Sequence, residues 1–367
     1  MDDLYQEQED REDNRADDLE EALEDEEDEE FEDDEDDDGR YFGSVLFFKH
    51  LILLTLILVI GSLLALTIHF GRAYHRAISV EDKAVPSSAV VEDAETEDED
   101  ELPEEQEKPE GELTAAEILS ESPVIIHALG EVDGNEGLNC LEGFLRHYEA
   151  GARVFEVDIR VTSDGHAVLR HDWRSGWQEG VSERSIPTLE EFRRLPILGT
   201  YTPLSFRDLL LLMQEYPDVC IVTDTKFTEP EAVTAQFQAM LDDARALGLS
   251  YLFDRIVVQV YTRTMYGIVD NIHHFPNYIY TLYLDHFDRT EDAFRERCIF
   301  CKEHGIMGLT LWASWWDEPV YRPISQWHGV KVYTHTVNDA EEARSQLDAG
   351  VSAVYTDYLL PGDVAAG

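Results

Sequence analysis

Beyond residue 112 the chain alternates between two hydrophobic periods. Short β-branched and aromatic runs recur at Val124–Leu129, Val154–Val161, His166–His171, Cys220–Thr225, Ile256–Val260, Tyr278–Leu284, Gly308–Trp312, Val330–Thr336 and Ser352–Thr356. Between most of them, apolar positions return every three to four residues, over Leu138–Ala150, Leu204–Tyr216, Glu231–Leu247, Glu291–His304 and Ala340–Ala349. Strands alternating with amphipathic helices predict a parallel sheet with helical crossovers. Nine candidates are one too many for a closed eight-stranded barrel. The second and third, however, are joined through Ser163, Asp164 and Gly165, and Asp-Gly is a hairpin signal that joins antiparallel neighbours. One arm of that hairpin is then an excursion. The remaining eight predict an α/β fold, a (β/α)8 TIM-type barrel over residues 113–367.

The chain before the barrel follows a different pattern. Leu51 to Ile68 is uncharged and mostly apolar, extended at its start by Val45 to Phe48 and flanked by Lys49, His50, Arg72 and Arg76. At about 1.5 Å per residue it spans roughly 27 Å, close to the roughly 30 Å of a bilayer core, so residues 45–70 are expected to form a transmembrane helix.

Charge sharpens this division. The chain carries 79 acidic and 28 basic residues, a net charge of −51. Acidic runs such as Glu26–Glu30 and Asp36–Asp38 mark residues 1–40 as a disordered tail, and residues 71–112 as an acidic linker. Nucleic-acid binding, which needs Lys and Arg to neutralise phosphates, is excluded as a function class, whereas cation sites lined by Asp and Glu remain open. The basic residues flanking the span are nearly balanced. Length decides instead: a tail of roughly fifty residues before a single span is expected inside and the barrel domain extracytoplasmic. Cys298 and Cys301 form a C-x-x-C inside a helix without a second ligand pair, which points to packing rather than to zinc or redox chemistry.

The hairpin also brings chemistry together. If Asp164 and Gly165 are its two loop residues, Ser163 pairs with His166 and Asp158 stands opposite His171. Glu156 then shares their face, because residues i and i+2 point the same way. Glu156 and Asp158 alternate with Phe155, Val157 and Ile159, and carboxylates in such a strand need a partner such as a cation. His127 after Val124–Ile126 and Asp224 after Ile221–Thr223 sit near strand carboxyl ends, where barrel catalytic groups lie; Lys226 follows two residues on. Together these supply three carboxylates for a hard cation, Mg²⁺ or Ca²⁺, and two imidazoles for proton transfer.

His127, Asn139, Glu156-Val157-Asp158, Ser163-Asp164-Gly165, His171-Asp172, Val257–Val260, Thr336–Asp339 and Gly350–Asp357 follow one pattern. Over residues 122–361 the chain resembles the glycerophosphodiester phosphodiesterases. The resemblance implies that Glu156 and Asp158, with Asp224 as the third acid, hold a divalent cation, and that His127 and His171 act as acid and base. Where that family has Arg after the first histidine and Glu before the Asn, this chain has Ala128 and Leu138. Its third acid is Asp rather than Glu, as in the sphingomyelinase D-type phospholipases. Lys226 or Arg174 is then expected to replace the missing arginine at the phosphate, and Trp312, Trp315 and Trp316 either to contact a head group or cation or to serve packing. The expected function is a membrane-anchored, metal-dependent phosphodiesterase acting on glycerophosphodiesters or phospholipid head groups. The alternatives are a lyase releasing a cyclic phosphate and a catalytically silent, tethered binding module.

Overall fold

The computed structural model describes residues 103–364. They contain strands β1 (Val124–Ile126), β2 (Val154–Val161), β3 (Ala167–Leu169), β4 (Cys220–Asp224), β5 (Ile256–Val260), β6 (Tyr278–Thr281), β7 (Gly308–Trp312), β8 (Lys331–His335) and β9 (Ala353–Thr356). Eight pair in parallel in the order β1-β9-β8-β7-β6-β5-β4-β2, and Ile126 opposite Phe155 closes the circle. β3 pairs antiparallel with β2 and stands outside it. The observed architecture is therefore the expected eight-stranded barrel with one hairpin excursion. The tail 1–40, the predicted span 45–70 and the linker up to residue 102 lie outside the described residues. Among the described residues no helix is long and apolar enough to cross a membrane.

Alternation along each strand sorts the wall into two faces. Val124, Ile126, Phe155, Val157, Ile221 and Val258 join the large core between sheet and helices, whereas Ile125, Val154, Cys220, Val222, Val257 and Ile279 cluster inside the barrel. Helix Ala115–Glu121 adds Ala115, Ile118 and Leu119 to that inner cluster and so seals the amino-terminal end. A capping box starts it: the Thr114 hydroxyl accepts from the Glu117 amide, and the Glu117 carboxylate accepts from the Thr114 amide. Gly308 also faces inward. A Cβ there would lie 2.6 Å from the Lys331 carbonyl oxygen and 2.9 Å from the Tyr333 ring, so its missing side chain is what admits Tyr333.

The end of the acidic segment packs on the barrel. Glu105 accepts from the Ser250 amide and hydroxyl, Lys108 pairs with Asp254 at 3.0 Å, and Glu112 pairs with Arg255 at 2.8 Å. Arg255 is buried and also donates to the Met213 and Val219 carbonyls. Glu112→Ala leaves that guanidinium charge without its carboxylate, and breaking a buried pair costs about 3 kcal/mol. The expected result is a lower denaturant midpoint at unchanged slope. A midpoint equal to the parent's would mean that the carbonyls alone satisfy Arg255.

The hairpin register differs from expectation by one residue. Ile159, Arg160 and Val161 stand opposite Leu169, Val168 and Ala167, and the Thr162 amide donates to the His166 carbonyl. The loop is thus three residues, Ser163 to Gly165. A two-residue loop of the Asp-Gly type needs positive φ at both positions. Here Gly165 has φ 87°, while Asp164 stays outside that region and accepts from the Thr162 hydroxyl at 2.6 Å. Arg170, not His171, consequently stands opposite Asp158, its amide donating to the Asp158 carbonyl at 3.0 Å. β1 is also shorter than expected, because the chain turns through a 3-10 segment at His127–Leu129, with Ala128 and Leu129 at φ 47° and 65°.

Candidate active site

Going up the barrel, the inward-facing positions change from apolar to polar. The side-chain period of two leads from Val154 to Glu156 and Asp158, from Val222 to Asp224, from Tyr333 to His335 and from Tyr355 to Asp357. The carboxyl-terminal end of the barrel, the face on which active sites of this architecture lie, is therefore ionic by construction.

Glu156, Asp158 and Asp224 are buried, with one oxygen of each within 4.8 Å of the others. The Asp158–Asp224 register between β2 and β4 places two of them side by side. Glu156 Oε2 accepts from the Ala128 amide at 2.8 Å, which the turn after β1 aims at it. Its Oε1 is buried without a hydrogen-bond partner. Burial, followed by the Asp158 charge, pushes the Glu156 pKa up to about 8. An oxygen-only donor set with excess negative charge and an orphaned, buried carboxylate oxygen fits a hard divalent cation.

Asn139 fixes Asp158 from both sides. Its Nδ2 donates to Asp158 Oδ2 at 2.7 Å, and its Oδ1 accepts from the Asp158 amide at 2.9 Å. Lys226 Nζ lies 2.9 Å from Asp158 Oδ1 and 3.6 Å from Asp224 Oδ2. Burial works against the Asp158 carboxylate, but the Lys226 charge outweighs it, followed by those of His171 and His127, and holds its pKa well below the usual range.

Both predicted histidines present the same ring atom. His127 Nδ1 bonds Asp357 Oδ1 at 2.8 Å, and His171 Nδ1 bonds Asp172 Oδ2 at 2.8 Å. Each carboxylate is itself held: Asn338 Nδ2 donates to Asp357 at 2.8 Å, and the Ser175 amide donates to Asp172 at 2.7 Å. That leaves the two Nε2 atoms for chemistry, with that of His127 at 3.9 Å from Glu156 Oε2. Burial opposes a charged His127 ring, yet the Asp357 hydrogen bond and the Glu156 charge raise its pKa to about 10.

The weaker substrate candidates divide. Lys226 is in the site. Arg174 is 78% exposed and bonds Glu183 at 2.6 Å. The Trp312 ring lies tilted by 34° against His335 with centroids 4.3 Å apart, and His335 in turn lies 5.3 Å from Tyr283. Trp316 is buried, and Trp315 stacks on Tyr321 at 5.7 Å, so these two serve packing. The free cysteines Cys298 and Cys301 are also buried core residues.

Asn139, Asn338 and Asp357 lie within the sequence motifs, but their roles emerge only from these contacts. Tyr261, Tyr283 and His335 belong to no ligand-like pattern. The Tyr261 and Tyr283 hydroxyls both donate to Asp224, Tyr283 at 3.0 and 3.1 Å to its two oxygens. Burial, then the charges of His127 and Lys226, pushes His335 down to about 3. The signal for all three was positional, since each lies at or just past the carboxyl end of a strand.

Residues 134–280 match the family model described as the glycerophosphoryl diester phosphodiesterase family. An Oleispira antarctica phosphodiesterase in complex with the product sn-glycerol-3-phosphate superposes with a TM-score of 0.53 at 18% identity, over 67% of this chain and 97% of that one. A glycerophosphodiester phosphodiesterase from Parabacteroides distasonis ATCC 8503 gives 0.52 at 18% identity, over 66% and 94%. These two likenesses establish the barrel fold, and the family match spans the strands that carry Glu156, Asp158 and Asp224. Over residues 134–280 the chain is thus similar to the glycerophosphoryl diester phosphodiesterase family.

Proposed function

We propose that the barrel is a cation-dependent phosphodiesterase that hydrolyses a glycerophosphodiester or a related lipid head group. The observation that carries this reading is the three-acid cluster with Glu156 Oε1 buried and unpartnered, together with two histidines whose Nδ1 atoms are engaged by Asp357 and Asp172. Glu156, Asp158 and Asp224 would hold Mg²⁺ or Ca²⁺, which supplies charge neutralisation at the phosphoryl oxygens. Lys226 adds a second positive charge beside the same carboxylates, a role suited to the position where Ala128 provides no side-chain donor. Asp357 and Asp172 fix Nδ1 of the two imidazoles, so proton transfer at each occurs through Nε2. One imidazole takes the proton of the attacking oxygen and the other gives one to the leaving oxygen.

The test is release of sn-glycerol-3-phosphate from a panel of glycerophosphodiesters, with and without a chelator. Turnover that survives complete chelation would remove the cation from this reading. Phosphorus NMR of the product reports whether water attacks or a substrate hydroxyl closes a cyclic phosphate.

The same reading places the enzyme at a membrane, anchored by residues 45–70, with the barrel extracytoplasmic. The support is the uninterrupted uncharged, mostly apolar run Leu51–Ile68 with basic residues on both sides. Protease added to intact cells is expected to remove the barrel and spare residues 1–40; digestion of the tail with the barrel intact would reverse the orientation.

A further inference from the structure

We propose that Tyr261 is a positioning residue that locks the third acid and the lysine loop into one unit. This rests on the cation reading above. β4 ends at Asp224, and its ladder to β5 ends at Thr223 opposite Val258, so the amides of Thr225 and Lys226 have no strand partner. Both donate instead to the Tyr261 hydroxyl oxygen, at 3.0 and 3.1 Å, while the hydroxyl proton goes to Asp224 Oδ1. One phenol oxygen has two acceptor sites and one donor, and all three are used.

The backbone shows why such a clamp is needed. Lys226 has φ 56°, in the left-handed region that a lysine rarely adopts. That turn brings its side chain back from the loop so that Nζ reaches Asp158 on the neighbouring strand. A strained turn persists only where its surroundings over-determine it, and the Tyr261 oxygen is the acceptor for the amide of the strained residue itself. Tyr283 differs: its hydroxyl donates to Asp224 and accepts from neither loop amide. Its loss should loosen the carboxylate without releasing the loop.

The experiment compares Tyr261→Phe and Tyr283→Phe with the parent full-length chain in detergent. It reads amide hydrogen exchange at Thr225 and Lys226, and Mg²⁺ and Ca²⁺ affinity by calorimetry. Tyr261→Phe is expected to speed exchange at both amides about tenfold or more and to weaken cation binding by about 10- to 100-fold, the usual cost of losing an outer support. Tyr283→Phe is expected to weaken binding while both amides stay protected. Protected amides in Tyr261→Phe, or cation affinity within about twofold of the parent, would overturn the clamp. If the parent binds neither ion, the cation reading fails and the amide exchange alone decides the clamp. If Tyr261→Phe does not fold, exchange in the parent decides: slow exchange at these two loop amides supports the clamp, and exchange at the open-loop rate overturns it.

Discussion

Asp158→Asn is expected to lower kcat/KM by about 10³-fold or more, which corresponds to about 4 kcal/mol of transition-state stabilisation. Asp158 is fully buried, central to the three-acid cluster, and fixed by Asn139 at 2.7 Å and Lys226 at 2.9 Å. The substitution keeps the shape and can still accept from Asn139, but it removes one of three charges that would hold the cation. It also turns the neighbour of Lys226 from a carboxylate into a neutral amide. The fold should survive, because the apolar interior lies below the site and one repulsive neighbour of Glu156 is gone. The melting temperature should therefore stay within about 5 °C of the parent. Near-normal turnover in a folded Asp158→Asn protein would remove the cluster from the mechanism.

His127→Ala is expected to lower kcat by about 10²- to 10⁴-fold, the range for losing a general acid or base. The geometry predicts more than a loss. Asp357 acts only through Nδ1 of His127, so Asp357→Asn should lower kcat by a smaller factor and should add little on top of His127→Ala. His171→Ala should fall in the same range as His127→Ala, because the second proton transfer is assigned to it. If both alanine variants keep near-normal kcat across the pH range, the imidazoles are not the proton carriers.

The sequence carried much of this site for a simple reason. A strand shows its faces every second residue, so Glu156 and Asp158, set among Phe155, Val157 and Ile159, could be placed on one interior face without coordinates. His127 and Asp224 followed from their places just past apolar strand runs. Eight strands and an excursion followed from the Asp-Gly signal between the second and third runs.

The hairpin marks where local reasoning stopped. Loop length depends on whether Asp164 accepts the Thr162 hydroxyl or adopts positive φ, a choice between conformers of similar energy. One residue of difference moved Arg170 into the place read for His171. His171, just past β3 and held by Asp172, still lies close enough to Asp158 for its charge to lower that carboxyl's pKa.

What the sequence determined by itself is the barrel, the position of the ionic end and the identity of the three acids, since each depends on periods of two and of three to four within short segments. Only the tertiary structure decided which side chains hold those acids. Asn139 is 19 residues from Asp158, Tyr261 is 37 from Asp224, and Asp357 is 230 from His127. Closing the sheet is what brings such pairs within hydrogen-bonding distance, and no local pattern records which strand end will meet which.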